Sequence, residues 1–271
     1  MVEEAPVVVN EDSPKASRRK QRKAAKATRA AKRHPKPLEP RNHNQYLYVQ
    51  SLTENELTFA VGPAGVGKTY VPARVYGGML ATGEIQKLYV ARPNVAKKKH
   101  QMGFLPGSAE EKVAPWLVPI LEGVKDSMSP SEFSRFRHEK RIEEVPYEFI
   151  QGRTFKDAAC IVDEAENLDM DDLYITLTRQ GENLRMVLCG DIDQSRIPNS
   201  GLGYVVKMAQ HPSMKNTGVV EFDEDDVVRS RQAAQWVKAF NRARLSDVPN
   251  CDKDEGRNFH ANPPAFLRKV E

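Results

Sequence analysis

The chain has 271 residues, 39% of them apolar and 29% charged, with a net charge of +4. That length and apolar share suffice for one good core, and no stretch approaches the roughly 20 apolar residues of a membrane span. The polar start lacks the apolar segment of a secretory leader. The three cysteines are too scattered for a disulfide framework, and no His/Cys spacing suggests a metal site. A reducing cytoplasm is the expected setting.

Charge is unevenly spread. Residues 15–37 hold eleven Lys or Arg and no acid, whereas the first fourteen hold four acids, which leaves 1–37 at +7 and the rest of the chain at −3. The Ala-rich basic run Lys20-Gln21-Arg22-Lys23-Ala24-Ala25-Lys26 is compatible with helix against a polyanion. By itself it is expected to be disordered, because like charges repel and nothing apolar needs burying. Residues 1–41 are therefore read as a basic disordered arm, for nucleic acid in preference to a purely solubilising tail.

The first core strand is expected at Leu57–Val61. It runs into Gly62-Pro63-Ala64-Gly65-Val66-Gly67-Lys68-Thr69, which fits the phosphate-loop pattern G-x-x-x-x-G-K-[ST] in full. Glycines there let backbone N–H groups turn toward one point, and the helix that follows, about Gly67 to Leu80, adds the positive end of its dipole. Lys68 is the candidate charge for the β- and γ-phosphates of a nucleotide, and the Thr69 hydroxyl a candidate Mg²⁺ ligand.

A second strand spans Lys87–Ala91 and ends at Arg92-Pro93. Residues 108–128 carry Val113, Trp116, Leu117, Ile120, Leu121 and Val124 at helical spacing, with Pro115 and Pro119 as bends, and another helix covers 130–138. Tyr147–Ile150 reads as a short strand. Ala159–Val162 is fully apolar, as a buried parallel strand requires, and ends in Asp163-Glu164. Asp163 at such a tip can reach a Mg²⁺ shell, and Glu164 can orient and deprotonate an attacking water. A helix is expected over 169–180 with Asp169 as N-cap.

Leu184–Cys189 is a further strand, followed by Gly190-Asp191-Ile192-Asp193-Gln194. Spacing leaves two readings of Gln194 open, a γ-phosphate sensor or a plain turn. Helices over 202–210 and 230–244 enclose a strand at Val219–Phe222, and 245–271 reads as a flexible polar tail. Strands alternating with helices predict a parallel sheet with right-handed crossovers. The fold class is α/β, a single RecA-like phosphate-loop core over residues 42–244.

These residues resemble a known family. Asp163-Glu164-Ala165-Glu166-Asn167 and Gly190-Asp191-x-x-Gln194 are similar to motifs II and III of superfamily-one helicases. More closely, the chain resembles PhoH-like proteins, ATPases related to that superfamily. The resemblance is carried by Gly62 to Thr69 with Tyr70, by Arg92-Pro93, by Gly103-Phe104-Leu105-Pro106-Gly107 with Glu111-Lys112-Val113, and by Gly152-Arg153-Thr154. It extends through Leu177-Thr178-Arg179, Ser200-Gly201-Leu202 and Asp226-Val227-Val228-Arg229. It covers about residues 42 to 243. Two positions depart from it: Glu166 stands where the family usually has Gln, and Pro72 where it usually has a small residue.

The resemblance implies an ATP- and Mg²⁺-dependent hydrolase, with Gly62 to Tyr70 around the phosphates and Gln45, upstream of the loop, reading adenine. It implies a single-stranded RNA or DNA partner tracked by Arg92, Lys97, Lys98 and Lys99, and helicase or translocase activity. One core leaves the γ-phosphate open on one side. A ring homo-oligomer, a hexamer in the family, would complete each site from a neighbour, with Arg229 as first and Arg179 as second candidate for the arginine in trans. A nucleotide-dependent assembly switch and a small-molecule kinase are the alternatives.

Overall fold

The computed structural model describes residues 35, 37–93, 109–147, 150 and 155–245. Lys97, Lys98, Lys99, the segments 103–107 and 152–154, most of the basic arm and the tail lie outside the described residues. In chain order the elements are α1 (His43–Glu54), β1 (Leu57–Val61), α2 (Tyr70–Thr82), β2 (Lys87–Arg92), α3 (Ala109–Asp126), α4 (Pro130–His138) and β3 (Ile142–Pro146). There follow β4 (Ala158–Val162), α5 (Met170–Leu177), β5 (Leu184–Gly190), α6 (Leu202–Ala209), β6 (Thr217–Glu221) and α7 (Arg231–Leu245).

The six strands form one sheet in the order β3-β2-β4-β5-β1-β6, and every pairing is parallel. The expected α/β class with a parallel sheet is what forms. β1 and β4 are buried at every position, which is why their sequences are nearly all apolar instead of alternating; the exception, Thr58, has its hydroxyl paired with that of Ser51 at 3.0 Å. Period-two geometry then sorts their side chains between two cores. Ala60, Ile161, Val187 and Cys189 face the layer built by α1 to α4, around Tyr48, Tyr76, Leu80, Leu117 and Phe136. Phe59, Cys160, Val162, Met186 and Leu188 face Leu168, Leu173, Leu202 and Val206 on the other side.

One expectation changes, and one helix is new. The strand placed at Tyr147–Ile150 lies instead at Ile142–Pro146, in register with β2 from Leu88↔Ile142 to Arg92↔Pro146. It is an edge strand and tolerates polar residues: Glu143 meets Lys87 at 3.0 Å and Glu144 pairs with Arg137. A search for an apolar core run passes over it. Tyr147 is buried beyond its end, its hydroxyl donating to the Asp172 carbonyl at 2.9 Å. Helix α1 carries no expectation from the sequence. Its N-cap Asn42 accepts the Gln45 N–H, and Tyr48, Ser51 and Leu52 form its buried face. By contrast α4 begins with the full capping box of Ser129 and Glu132, and Asp169 caps α5 as expected.

The chain divides into a unit ending at Val228 and a second beginning at Arg229, a division inside the span 42–244. In the second, Trp236 and Phe240 lie one turn apart on α7 with ring centroids 5.8 Å apart, both exposed.

Two adjacent glycines of α2 test the packing. A Cβ at Gly77 would stand 2.2 Å from Ser127 Oγ and 3.3 Å from the Val124 backbone, whereas one at Gly78 meets nothing within 4 Å. Gly78→Ala is expected to stabilise by about 0.5–1 kcal/mol through helix propensity. Gly77→Ala is expected to destabilise, since the clash outweighs the same gain. Denaturant melts of the two variants should move in opposite directions.

Candidate active site

Parallel strands present all their C-terminal tips at one edge, the place where open α/β sheets bind ligands. Because β5 lies between β1 and β4, Gly190-Asp191 separates the phosphate loop from Asp163-Glu164. Two backbone bonds weld this edge: Gly62 N–H to Gly190 O at 3.2 Å and Asp163 N–H to Ala91 O at 2.9 Å. Gly62 sits at φ 142, and a Cβ there would stand 2.3 Å from the Phe222 carbonyl oxygen, so the turn admits only glycine. Gly65 and Gly67 also have positive φ. Val66 is fully buried and pins the loop to the first core, while Ala64 is exposed and Pro63 half-buried.

The Lys68 ammonium reaches the Gly62 and Pro63 carbonyl oxygens at 2.5 and 2.7 Å. Burial lowers its pKa, opposed chiefly by Asp191. Thr69 stands at the N-cap of α2 without making a side-chain cap. Its hydroxyl instead donates to Asp163 Oδ1 at 2.8 Å. Tyr70 is partly exposed, its hydroxyl donating to Asp126 Oδ2 at 3.2 Å.

Pro72 falls in the first turn of α2, where a missing N–H breaks no ladder bond beyond the one owed to Lys68 O. That carbonyl is satisfied from elsewhere: the Tyr48 hydroxyl donates to it at 2.7 Å and the Cys189 thiol at 3.0 Å. Cys189 is therefore more than the small buried hydrophobe its strand suggests. Burial raises both the Tyr48 phenol and the Cys189 thiol well above their ordinary ranges, keeping each protonated as a donor. Sequence reading missed Tyr48. The signal was present in the Tyr48/Leu52 spacing after the capping residue Asn42.

Gln45 is buried behind the loop. Its amide nitrogen donates to Val66 O at 2.8 Å and its oxygen accepts from Arg41 N–H at 2.9 Å, so both ends of the amide expected to read adenine are held by backbone. Gln194 is exposed, and its amide donates to Asp191 Oδ2 at 2.5 Å. Arg179 and Arg229 are exposed.

Glu164 adopts left-handed backbone, φ 52 and ψ 41, a conformation that costs a non-glycine residue about 1 kcal/mol or more. Two arginines flank its carboxylate. Arg92 pairs with Oε1 and also approaches Asp163 Oδ2 at 3.6 Å, while Arg196 NH1 lies 3.9 Å from Oε2. Arg92 is braced by the Trp116 carbonyl at 3.4 Å and lies over the Trp116 ring at 5.8 Å. Trp116, expected on the buried face of α3, is half exposed in that role. Arg92 thus joins the acidic strand tip, and Arg196 is a site residue that sequence reading did not single out.

Glu166 lies beneath Asp191, accepting its N–H at 3.2 Å. Burial pushes this carboxyl up to about 7. Among the described residues no cluster of three or more His, Cys, Asp or Glu could hold a metal ion. A site built from one hydroxyl and one carboxylate, as at Thr69 and Asp163, suits a Mg²⁺ completed by phosphates and water.

Two outcomes follow for stability. Tyr48→Phe is expected to cost about 1–2 kcal/mol. The loss should shrink in a Pro72→Ala background, where an N–H at position 72 can serve Lys68 O, and a double-mutant cycle by denaturant unfolding measures that coupling. For Glu166, a folded pKa raised above the unfolded value gives stability that is complete below about 4.5 and lost as pH rises through about 7. Stability of the parent chain should therefore fall from about pH 4.5 to about pH 7, by up to about 3 kcal/mol, and level off above that. Glu166→Gln should flatten that fall.

Comparison with known proteins bears on the same residues. The family model of the PhoH-like proteins matches residues 37–241. A PhoH-like protein of Bacillus subtilis is 33% identical over 210 residues, 76% of this chain and 65% of that protein. Protein PhoH of Escherichia coli K12 is 31% identical over 214 residues, 77% of this chain and 60% of that protein. The matched stretch thus spans less than two thirds of these relatives' own length. Among solved structures, the large terminase of a thermophilic bacteriophage aligns over 76% of this chain and 50% of its own, at 14% identity and a TM-score of 0.47. With its family model spanning the core and two relatives above 30% identity, the chain belongs to the PhoH-like family.

Proposed function

We propose that the protein hydrolyses ATP with Mg²⁺, and that single-stranded RNA or DNA stimulates the reaction, as in a helicase or translocase. The observation that carries this reading is the 2.8 Å bond from Thr69 Oγ1 to Asp163 Oδ1. It joins a complete phosphate loop to an acidic strand tip whose next residue is Glu164. Bound Mg²⁺ would supply charge neutralisation on the phosphates and would be held by Thr69 and Asp163. The loop N–H groups and Lys68 hold the phosphate oxygens. Glu164 orients a water and takes its proton as the water oxygen bonds to the γ-phosphorus. The bond from that phosphorus to the bridging oxygen breaks, and ADP leaves with the electron pair, giving ADP and inorganic phosphate.

The +7 charge of residues 1–37 supports a nucleic-acid partner, to which Lys97, Lys98 and Lys99 add three cations. A homo-oligomeric ring, a hexamer by family resemblance, and a cytoplasmic setting belong to the same reading. No helix among the described residues is long and apolar enough to cross a membrane. The engagement of Arg92 by Asp163 and Glu164 favours one second reading, in which hydrolysis times assembly and no strand is moved.

Phosphate release from ATP, with and without single-stranded RNA or DNA, tests both. Lys68→Ala should weaken ATP binding. Glu164→Gln should still bind ATP yet turn over about 100-fold or more slowly, the range of a lost general base. Normal turnover in the Gln variant would remove Glu164 as the base, and indifference to both polymers would leave the assembly reading.

A further inference from the structure

The two arginines at Glu164 are held in different ways. Arg92 is tied down on several sides, by both carboxylates, the Trp116 carbonyl and the Trp116 ring, and its side chain is 17% exposed. Arg196 is 40% exposed, and its guanidinium has the single 3.9 Å approach to Glu164 Oε2 as its ion pair among the described residues. Its backbone is nonetheless fixed. The Arg196 N–H donates to the Asn167 side-chain oxygen at 3.0 Å. Just beside it, the Ser195 hydroxyl donates to Ile197 O at 2.9 Å and accepts the Ile197 N–H at 3.2 Å. Asn167 is buried, and its amide nitrogen has no partner among the described residues, so this amide is kept in place for the one bond it makes to Arg196. The backbone at Arg196 is thus hydrogen-bonded in place, while its side chain is exposed and held by one long ion pair.

Resting on the ATPase reading above, we propose that Arg196 is a catalytic residue that contacts the γ-phosphoryl group in cis and stabilises its transition-state charge. The carboxylate that activates a water must lie within hydrogen-bond reach of it, and that water must lie about 3–3.5 Å from the phosphorus it attacks. A guanidinium already within 4 Å of the same carboxylate needs only a side-chain swing to reach an equatorial phosphate oxygen. Arg92, being braced, stays with Glu164 and orients it. Arg196, being loosely held, is the one free to move. The single core then supplies its own arginine, and completion by Arg229 or Arg179 of a neighbour is not required for turnover.

An arginine in this role is worth about 1,000-fold or more in turnover. Arg196→Ala is expected to lose that factor while still binding a fluorescent ADP. It should also lose the tightening of ADP binding that aluminium fluoride, a mimic of the transferring phosphoryl, produces in the parent protein. Arg196→Lys should recover part of both. Mixing Arg196→Ala chains with Lys68→Ala chains should restore no activity, because each subunit must carry both groups. Recovery on mixing, or undiminished fluoride-dependent ADP binding by Arg196→Ala, would overturn the proposal. Failure of the parent protein to hydrolyse ATP would instead overturn the ATPase reading, which keeps the two distinguishable.

Discussion

Everything at the candidate site depends on one constraint: the sheet is wholly parallel, with β5 inserted between β1 and β4. Parallel pairing sends every strand tip to the same edge, and the inserted strand sets the spacing there. Without β5, the phosphate loop and Asp163 would be adjacent strands' ends. With it, Gly190 accepts the Gly62 N–H, and the gap between loop and acid is spanned by the Thr69–Asp163 bond. Buried parallel strands must be apolar on both faces, so polar chemistry is confined to their tips. That confinement concentrates Lys68, Asp163, Glu164 and Asp191 in one place.

A second dependence is subtler. Proline in the first turn of α2 leaves the Lys68 carbonyl without its helical donor, and a buried unsatisfied carbonyl costs about 1–3 kcal/mol. Tyr48 from α1 and Cys189 from β5 both answer it. The phosphate loop is thereby tied to the helix before it and to the strand beside it. α1 is bound in turn to the segment after β6, where Asn44 donates to Asp226 at 2.7 Å and Asn42 to the Asp226 carbonyl at 3.1 Å. The Val228 N–H closes the circuit by donating to Gly65 O at 3.1 Å. The loop is therefore hydrogen-bonded to α1, to β5 and to the segment after β6.

Electrostatically, the acidic tip is balanced by neighbours of different exposure. Arg92 and Arg196 pair with Asp163 and Glu164, while burial pushes the Glu166 carboxyl up to about 7. At this position, where the sequence carries an acid in place of the amide usual in the proteins it resembles, burial disfavours the ionised form. A protonated Glu166 resembles that amide in charge.

The sequence by itself determined the class of fold, the buried strands and the candidate phosphate and carboxylate groups. Those signals are local: a run such as Ala159–Val162, the spacing from Gly62 to Thr69, the cap at Asp169. It did not reveal α1, whose buried face is one short stripe at Tyr48, Ser51 and Leu52, nor edge strand β3, whose acids are paired by Lys87 and Arg137 from other elements. Only the tertiary structure decided the partners of the functional side chains. Arg92 lies 72 residues from Glu164, and Tyr48 lies 141 from Cys189. Contacts at such separations follow from strand order, which no local pattern encodes. The same folding committed Gln45 to the back of the loop and brought Arg196 to the carboxylate that no spacing rule had joined to it.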